Sequence, residues 1–404
     1  MNGTVLIVVT HLLGSGHLVR AAHLARALAR GGFTVTLASG GMPLRPMEGE
    51  PFAFVQLPPV RTEGVDFRNL LDEEGQPARP ERMAARIAAL EKLATGLRPD
   101  IVVTEHFPFG RRQLAEEFLA TIAAVRAANP AALVLASVRD VLVTPKPTRI
   151  AEAQDRLARL FDAVLVHGEA DFLPLDRSWP VDAALAAKLL YTGYLADGAG
   201  VACHGPHPEE TSVRFAPQDE GSGRTGEIVV SGGASAAALP LFQLALEAAR
   251  LGPAGRRWRI LVGRGVAEET FRQLAVAVPG HAVVERARPD FQALLAGCAL
   301  SVSQAGYNTV LDLVAARRPA IVVPFEAGAE TEQAVRAEAL ERAGLAACLR
   351  LSGPQPLTAA ALWRAAVARI GQPVPAGGPR PDDGGRAVAA VKLLLADGVD
   401  RSRP

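Results

Sequence analysis

Short apolar runs of strand length, each entering a small-residue turn and then an Ala- and Leu-rich amphipathic stretch, alternate along this chain in two series. That alternation limits the fold more than any other feature. A run that is apolar throughout suits a strand covered on both faces, and parallel strands need a crossover of helix length between them. In the first series Val5–Val9 enters Thr10, His11 and a glycine turn, Leu18–Arg30 reads as an amphipathic helix stopped by Gly31-Gly32, and Phe33–Ala38 is the next strand. Further strands are expected at Phe52–Leu57, Asp100–Thr104, Ala132–Val138 and Ala163–Val166, with helices at Glu81–Leu97 and Arg111–Ala128. From about Ala196 to Arg224 the sequence turns to Gly, Pro, Ser, His and charge without periodicity. The second series runs through a strand at Glu227–Ser231, a helix at Leu239–Leu251, and strands at Trp258–Val262, His281–Glu285, Leu300–Val302 and Ala320–Val323.

The expectation is an α/β protein with two Rossmann-like, doubly wound domains. Residues 1–197 form the first, 198–225 the linker, 226–378 the second, and 379–404 a tail with a last helix at Arg386–Leu395. A length of 404 residues suits two cores. Lys+Arg of 43 against Asp+Glu of 42 leaves a formal +1, so no global field favours nucleic acid and any anion site must be local. Cys203, Cys298 and Cys348 form no CxxC or Cys/His cluster, which suggests neither zinc nor a disulfide framework and fits a reducing cytosol. No apolar run approaches a membrane span, and Val5–Val9 is too short for a signal peptide. The protein is expected to be cytoplasmic, with peripheral membrane contact left open. No DxD motif is present, and Asp72-Glu73-Glu74 and Asp382-Asp383 sit in loop-like surroundings where solvated charge is the default, so no metal is expected.

The segment Ser303-Gln304-Ala305-Gly306-Tyr307-Asn308-Thr309 ends a strand in a small-residue turn that opens a helix. Unpaired amides and the helix dipole there suit a diphosphate. Asp312 lies six residues beyond Gly306 and can face a ribose, whose two hydroxyls suit a carboxylate acceptor. After the strand ending in Pro324-Phe325, the cluster Glu330, Thr331, Glu332 and Gln333 offers acceptors and donors for sugar hydroxyls. Ser231-Gly232-Gly233 is the corresponding turn at the start of the second series, a candidate pyrophosphate contact. Arg264 and Arg286 can place cations beside phosphate. Each has a bland counterpart, a plain crossover turn or a solvated arginine.

In the first series Gly14-Ser15-Gly16-His17-Leu18-Val19-Arg20 puts a histidine near the start of a helix, at the carboxyl end of the first strand. Val19 stands where the third glycine of a dinucleotide fingerprint would be, which disfavours a dinucleotide. His17 can act as general base on an acceptor or donate to phosphate, or it can merely cap the turn. Glu105, His106 and Asp140 follow strands and are further candidates for acid/base work, and His167 does so as well. Arg111, Arg112 and Arg139 can meet an anionic group of an acceptor.

The Gly-x-Gly-His-x-x-Arg turn, Thr104-Glu105-His106-Phe107-Pro108-Phe109-Gly110-Arg111-Arg112, Val164–Glu169, Tyr191-Thr192-Gly193-Tyr194, Ser231-Gly232-Gly233 and the run from Gly306 to Gln333 together resemble the MurG-like GT-B glycosyltransferases, with a family 28 type C-terminal domain. This resemblance implies two domains about a cleft, a chain end that crosses back to the first domain, and metal-independent, inverting transfer of a sugar. The donor it implies is a nucleoside diphosphate sugar, UDP-type, and the acceptor an unspecified hydroxyl or amine. His17 or a nearby carboxylate would deprotonate the acceptor while helix N-termini stabilise the leaving diphosphate, with no cofactor. The first turn lacks the double glycine that precedes histidine in MurG, which points away from peptidoglycan lipid I as acceptor. A nucleotide-sugar hydrolase shares the first loop, a UDP-sugar 2-epimerase shares the architecture, and a non-catalytic nucleotide-sugar-binding protein is the reading from another class.

Overall fold

The computed structural model describes residues 3–12, 16–43, 47, 49–63, 66–143, 146–195, 226–233, 236–253, 256–276, 278–327, 331–353 and 355–398. The chain divides into two compact units, Met1–Gly198 with Pro381–Pro404, and Ala199–Arg380. Gly14, Ser15 and Glu330, and all of the expected linker, lie outside the described residues.

The first unit runs β1 (Thr4–Val9), α1 (Gly16–Arg30), β2 (Thr34–Ser39), β3 (Ala53–Gln56), β4 (Arg61–Glu63), β5 (Asp66–Leu71), α2 (Pro80–Leu97), β6 (Ile101–Glu105), α3 (Ala115–Ala128), β7 (Leu133–Arg139), α4 (Pro147–Leu160), β8 (Ala163–His167), α5 (Ala183–Ala186), β9 (Leu189–Tyr191) and β10 (Tyr194–Leu195). Its seven-stranded parallel sheet has the order β3-β2-β1-β6-β7-β8-β9, and β4 and β5 pair antiparallel beside it. Side chains of β1 alternate between the two faces, as the period of a strand requires. Leu6 and Val8 join the core under α2, α3 and α4, while Val5, Ile7 and Val9 join the core under α1. This two-sided burial is why the strands read as uninterrupted apolar runs.

The second unit runs β11 (Ile228–Ser231), α6 (Leu239–Leu251), β12 (Trp258–Val262), α7 (Glu268–Val276), β13 (Ala282–Arg286), α8 (Phe291–Gly297), β14 (Leu300–Ser303), α9 (Tyr307–Ala316), β15 (Ala320–Val322), α10 (Glu332–Arg342), β16 (Ala347–Cys348) and α11 (Ala359–Arg369). Its parallel sheet has the order β13-β12-β11-β14-β15-β16. In both sheets the order reverses beside the first strand, so each unit has its topological switch point where ligands of such sheets gather, at the carboxyl ends of β1 and β6 and of β11 and β14.

After the second unit the chain returns to the first. β17 (Pro381–Asp382) pairs parallel with β10, and α12 (Gly385–Ala396) packs its Ala387 and Val391 into the core beside α1. Gly384 makes the turn at φ 94°, and a Cβ there would come within 2.2 Å of the Ala27 methyl, so both conformation and contact demand glycine.

Arg86 of α2 is fully buried behind the first switch point with all five N–H donors engaged. Nε and Nη2 form a bidentate pair with Glu117 at 2.7 and 2.8 Å, Nη2 also reaches Thr10 Oγ1 at 3.0 Å, and Nη1 donates to the carbonyls of Gly40 and Pro58 at 2.8 and 2.5 Å. One guanidinium thereby ties together the chain leaving β1, β2 and β3. Replacing Arg86 with Met strands the Glu117 carboxylate in the core and should cost about 3–5 kcal/mol in urea unfolding, whereas Arg86→Met with Glu117→Leu should recover much of that loss. Equal losses in the single and double variants would show that the pair is not the source of the stability.

Candidate active site

Glu105 ends β6 at the first switch point and is 1% exposed. A buried carboxylate must have its lone pairs met by donors, and here three side chains supply them. Arg20, on the first turns of α1, contacts Oε1 directly. His17 Nδ1 lies 2.9 Å from the same oxygen, and Ser137 Oγ, its cross-strand neighbour at the end of β7, donates to Oε2 at 2.5 Å.

Because the carboxylate only accepts, the hydrogens of this network have one direction. Nδ1 of His17 must carry the proton it gives to Glu105, which leaves Nε2 as a bare lone pair. Arg20 Nη2 also lies 3.0 Å from that Nδ1, but both groups spend hydrogens on Glu105 rather than on each other. Ser137 spends its single hydrogen on Glu105, so it accepts from His167 Nε2 at 2.9 Å, and His167 Nδ1 accepts from the Thr192 hydroxyl at 2.7 Å. Ser137, His167 and Thr192 are buried to 1% or less, whereas 15% of the His17 side chain is exposed. The histidine that solvent can reach stands on a buried chain of groups that fixes its tautomer.

The electrostatics keep that ring neutral. Burial and then the positive charges of Arg111, Arg20 and Arg139 hold the His17 pKa well below the ordinary value. Burial does the same for His11, and for His106, whose ring lies 5.1 Å from that of His17. Burial, with a smaller push from Arg20 and against the pull of Glu105, brings His167 down to about 3.

The remaining expectations for this unit divide. His106 sits at φ 68° with its ring packed against Gly110, where a Cβ would come within 2.4 Å. Arg111 and Arg139 share the field around His17, but Arg112 points away and has Arg149 and Glu152 of α4 as its charged neighbours. Asp140 is corrected: it is fully buried, and its carboxylate is taken up by the Val141 amide at 2.9 Å and the Tyr194 hydroxyl at 3.1 Å, so it cannot reach an acceptor. Gly16 opens α1 and leaves open space where a Cβ would be.

At the second switch point the site is made of backbone. Gly232 packs so closely that a Cβ would meet that of Ala238 at 2.0 Å, and Gly233 turns the chain at φ 69°. Gln304 joins this turn to the next, its amide donating to the Ser231 carbonyl at 3.3 Å and its Nε2 to the Ala237 carbonyl at 3.0 Å. Gln333 joins the third: Oε1 accepts from the Ala305 amide at 3.2 Å and the Phe325 amide at 3.0 Å, which leaves its NH2 as the free end. Gly306 is the N-cap of the ten-residue α9 and brings no side chain of its own to that end, so backbone amides open the helix. Asp312, one and a half turns on, accepts from Gln292 at 3.1 Å, and burial raises its pKa.

Four donor-side residues are corrected. Arg286 is committed to the β12 turn, donating to the carbonyls of Gly263 and Val266 and to Glu268, and stacking 4.2 Å from the Phe271 ring centroid. Glu332 is turned inward at 5% exposure, 3.7 Å from the equally buried Arg336. Ser303 and Ala305 have fully buried side chains, and the Ala305 amide already donates to Gln333. Arg264 stands exposed on the turn after β12. Arg20, Ser137 and Gln304 are the members that sequence reasoning did not single out; Ser137 lies near the carboxyl end of β7 and Gln304 follows β14, which was the available signal. Among the described residues no cluster of His, Cys, Asp and Glu is placed to hold a metal ion, and no helix is long and apolar enough to cross a membrane.

Residues 227–357, most of the second unit, match the glycosyltransferase family 28 C-terminal domain. The chain is 31% identical over 166 residues to the UDP-N-acetylglucosamine–N-acetylmuramyl-(pentapeptide) pyrophosphoryl-undecaprenol N-acetylglucosamine transferase of Chelativorans sp., a stretch covering 40% of this chain and 42% of that protein. Its matches to curated relatives of that name span between 34 and 59% of their length. Among solved structures, the calicheamicin glycosyltransferase superposes with a TM-score of 0.59 at 16% identity over the whole of both chains, and MurG of Acinetobacter baumannii with 0.57 at 16% identity over 96% of this chain and 99% of that one. The chain therefore has the GT-B fold. Its second unit holds the stretch that is similar to the glycosyltransferase family 28 C-terminal domain.

Four histidines held neutral in the first unit make its stability sensitive to acid. Above pH 6.5 they are neutral in both folded and unfolded chains; below it the unfolded chain takes up protons that the fold refuses, so stability falls as pH drops, for His167 down to about 3. Each contributes a slope of up to about 1.4 kcal/mol per pH unit. Amide exchange between pH 7 and pH 5 should show protection lost across β1, β6, β7 and β8 while β11 and β14 hold theirs. A uniform loss across both units would contradict this assignment.

Proposed function

We propose that this protein is a metal-independent, inverting glycosyltransferase that moves a sugar from a nucleoside diphosphate, UDP-type, to a hydroxyl or amine acceptor. The observation that carries the proposal is the Glu105–His17 pair. A carboxylate holds Nδ1, Nε2 is bare and solvent can reach the ring, which is the arrangement of a general base. The UDP-sugar donor named for the curated relatives supports the donor class.

In this reading the second unit holds the donor. The amides opening α9 and the Gly232-Gly233 turn receive the diphosphate, with Arg264 as the exposed cation, and helix-terminal amides stabilise the charge that develops on it as the glycosidic bond breaks. Asp312 accepts from the ribose, and the free NH2 of Gln333 donates to the sugar. His17 Nε2 takes the acceptor proton as the acceptor oxygen or nitrogen attacks the anomeric carbon, and one such displacement inverts the configuration there. The imidazolium that forms is stabilised by Glu105.

His17→Ala should lower kcat by roughly a hundredfold or more while nucleoside diphosphate affinity stays near that of the parent. Since the folded pKa is lowered, the acid limb of kcat/KM should fall well below pH 6.5, not at it. Full activity in His17→Ala would end its role as base. Release of free sugar and diphosphate at full rate without an acceptor would establish a hydrolase instead.

Asp312→Ala should weaken nucleotide binding in calorimetry by about 1–3 kcal/mol without loss of fold. Unchanged affinity would place the ribose elsewhere and leave Asp312 as the partner of Gln292 alone.

A further inference from the structure

Two arginines of the first unit differ in how their charge is met. Arg86 has a protein acceptor for every donor. Arg111 has none: its guanidinium makes no hydrogen bond or ion pair with a described residue, and its Nε is buried without a partner. Its backbone is held in the left-handed region at φ 61°, just before the turn Arg112–Leu114 that leads into α3, so the side chain is aimed by a fixed loop. It is the one charged neighbour common to His11, His17 and His106.

The charges around it do not balance. Arg20, Arg111 and Arg139 share one field, and Glu105 is the one carboxylate among the charged neighbours of Arg111, already occupied by Arg20, His17 and Ser137. Burial and the other two arginines bring Arg111 down to about 10, so at neutral pH it remains a cation, only partly exposed and without a hydrogen-bonded counter-charge among the described residues. The buried Nδ1 of His106 also lacks a partner. A planar guanidinium in such a place matches a carboxylate or phosphate in bidentate fashion.

We propose that the pocket at the carboxyl ends of β1, β6 and β7 binds an anionic group of the acceptor, a carboxylate or a phosphate, through Arg111, and so presents a hydroxyl or amine of that same molecule to His17 Nε2. The inference rests on the reading of His17 as the acceptor's base. The donor's diphosphate has its own amides on α9 in the second unit, and the unmatched cation lies beside the base.

The test uses the full chain with inorganic phosphate and acetate as probes, following the ring resonances of His17 and His106 by NMR. Both rings should shift with saturation in the parent, lose that response in Arg111→Gln, and keep part of it in Arg111→Lys, which retains charge without the fork. UDP affinity, measured by calorimetry, should be the same in Arg111→Gln as in the parent. With a UDP-sugar donor, glycerate and glycerol 3-phosphate should exceed glycerol in kcat/KM by tenfold or more, and Arg111→Gln should erase the preference. Absence of ring shifts in the parent, or equal shifts in Arg111→Gln, overturns the proposal. A loss of UDP affinity in Arg111→Gln also overturns it, by giving Arg111 to the donor diphosphate. Were no sugar transferred to any of the three alcohols, the glycosyltransferase reading would fail for them, while the ring shifts would still decide whether the pocket holds an anion.

Discussion

The buried carboxylate of Glu105 is the constraint around which the first unit's site is arranged. Its place at the end of β6 follows from the sheet: β1 and β6 are neighbours where the strand order reverses, so whatever side chain ends β6 faces the loop leaving β1. A charge taken out of water at that point is tolerable only with donors on every side, and the fold supplies them from three elements, α1, β7 and, through His167, β8. The same donors that stabilise Glu105 fix the tautomer of His17. The stability requirement and the proposed chemistry are met by one set of hydrogen bonds.

The second unit solves a different problem with different groups. Its turns carry almost no charge, and two glutamines hold them in register: Gln304 links the turns after β11 and β14, and Gln333 links the turns after β14 and β15. A neutral amide can accept two backbone N–H groups without bringing a charge that would compete with a ligand. The helix opening at α9 has a glycine as its N-cap and its dipole as the local positive field, which suits a ligand that brings its own negative charge.

Much of the fold was legible because buried parallel strands must be apolar throughout: Trp258–Val262 and Leu239–Leu251 have the expected bounds, and β1, β6, β7 and β8 fall within a residue or so. The hairpin of β4 and β5 escaped, since Arg61–Leu71 has neither an apolar run nor a clean alternation, and so did the two-residue strands β10 and β17, which exist only because the chain end returns. In the site, residue type and position after a strand pointed to His17, Glu105 and Arg111 but could not say which way side chains turn. Asp140 and Arg286 look like exposed functional groups in sequence, and tertiary partners claim both. Glu332 reads as a loop residue facing a sugar, yet it opens α10 and turns to Arg336. Ser137 gave little signal, and His167 was read only as a residue at a strand end, because a hydroxyl and an imidazole there become a network only when cross-strand register aligns them.

Polar groups therefore separate into two kinds in this protein, and the separation is itself an argument about function. Arg86, Arg20, Glu117, Glu105 and Asp140 are buried and met by protein partners, so their contribution is to hold strand ends in place. Arg111, the Nε2 of His17 and the NH2 of Gln333 are held by backbone or side-chain contacts, yet each presents an atom with no partner among the described residues. Folding alone gives no reason to fix an unmatched group so firmly, since an unmet donor or a bare lone pair weakens the fold that keeps it. Such atoms are where a ligand completes the structure. On the proposed reading, those of the first unit meet a proton and an anionic group of one molecule, and that of the second meets a hydroxyl of another.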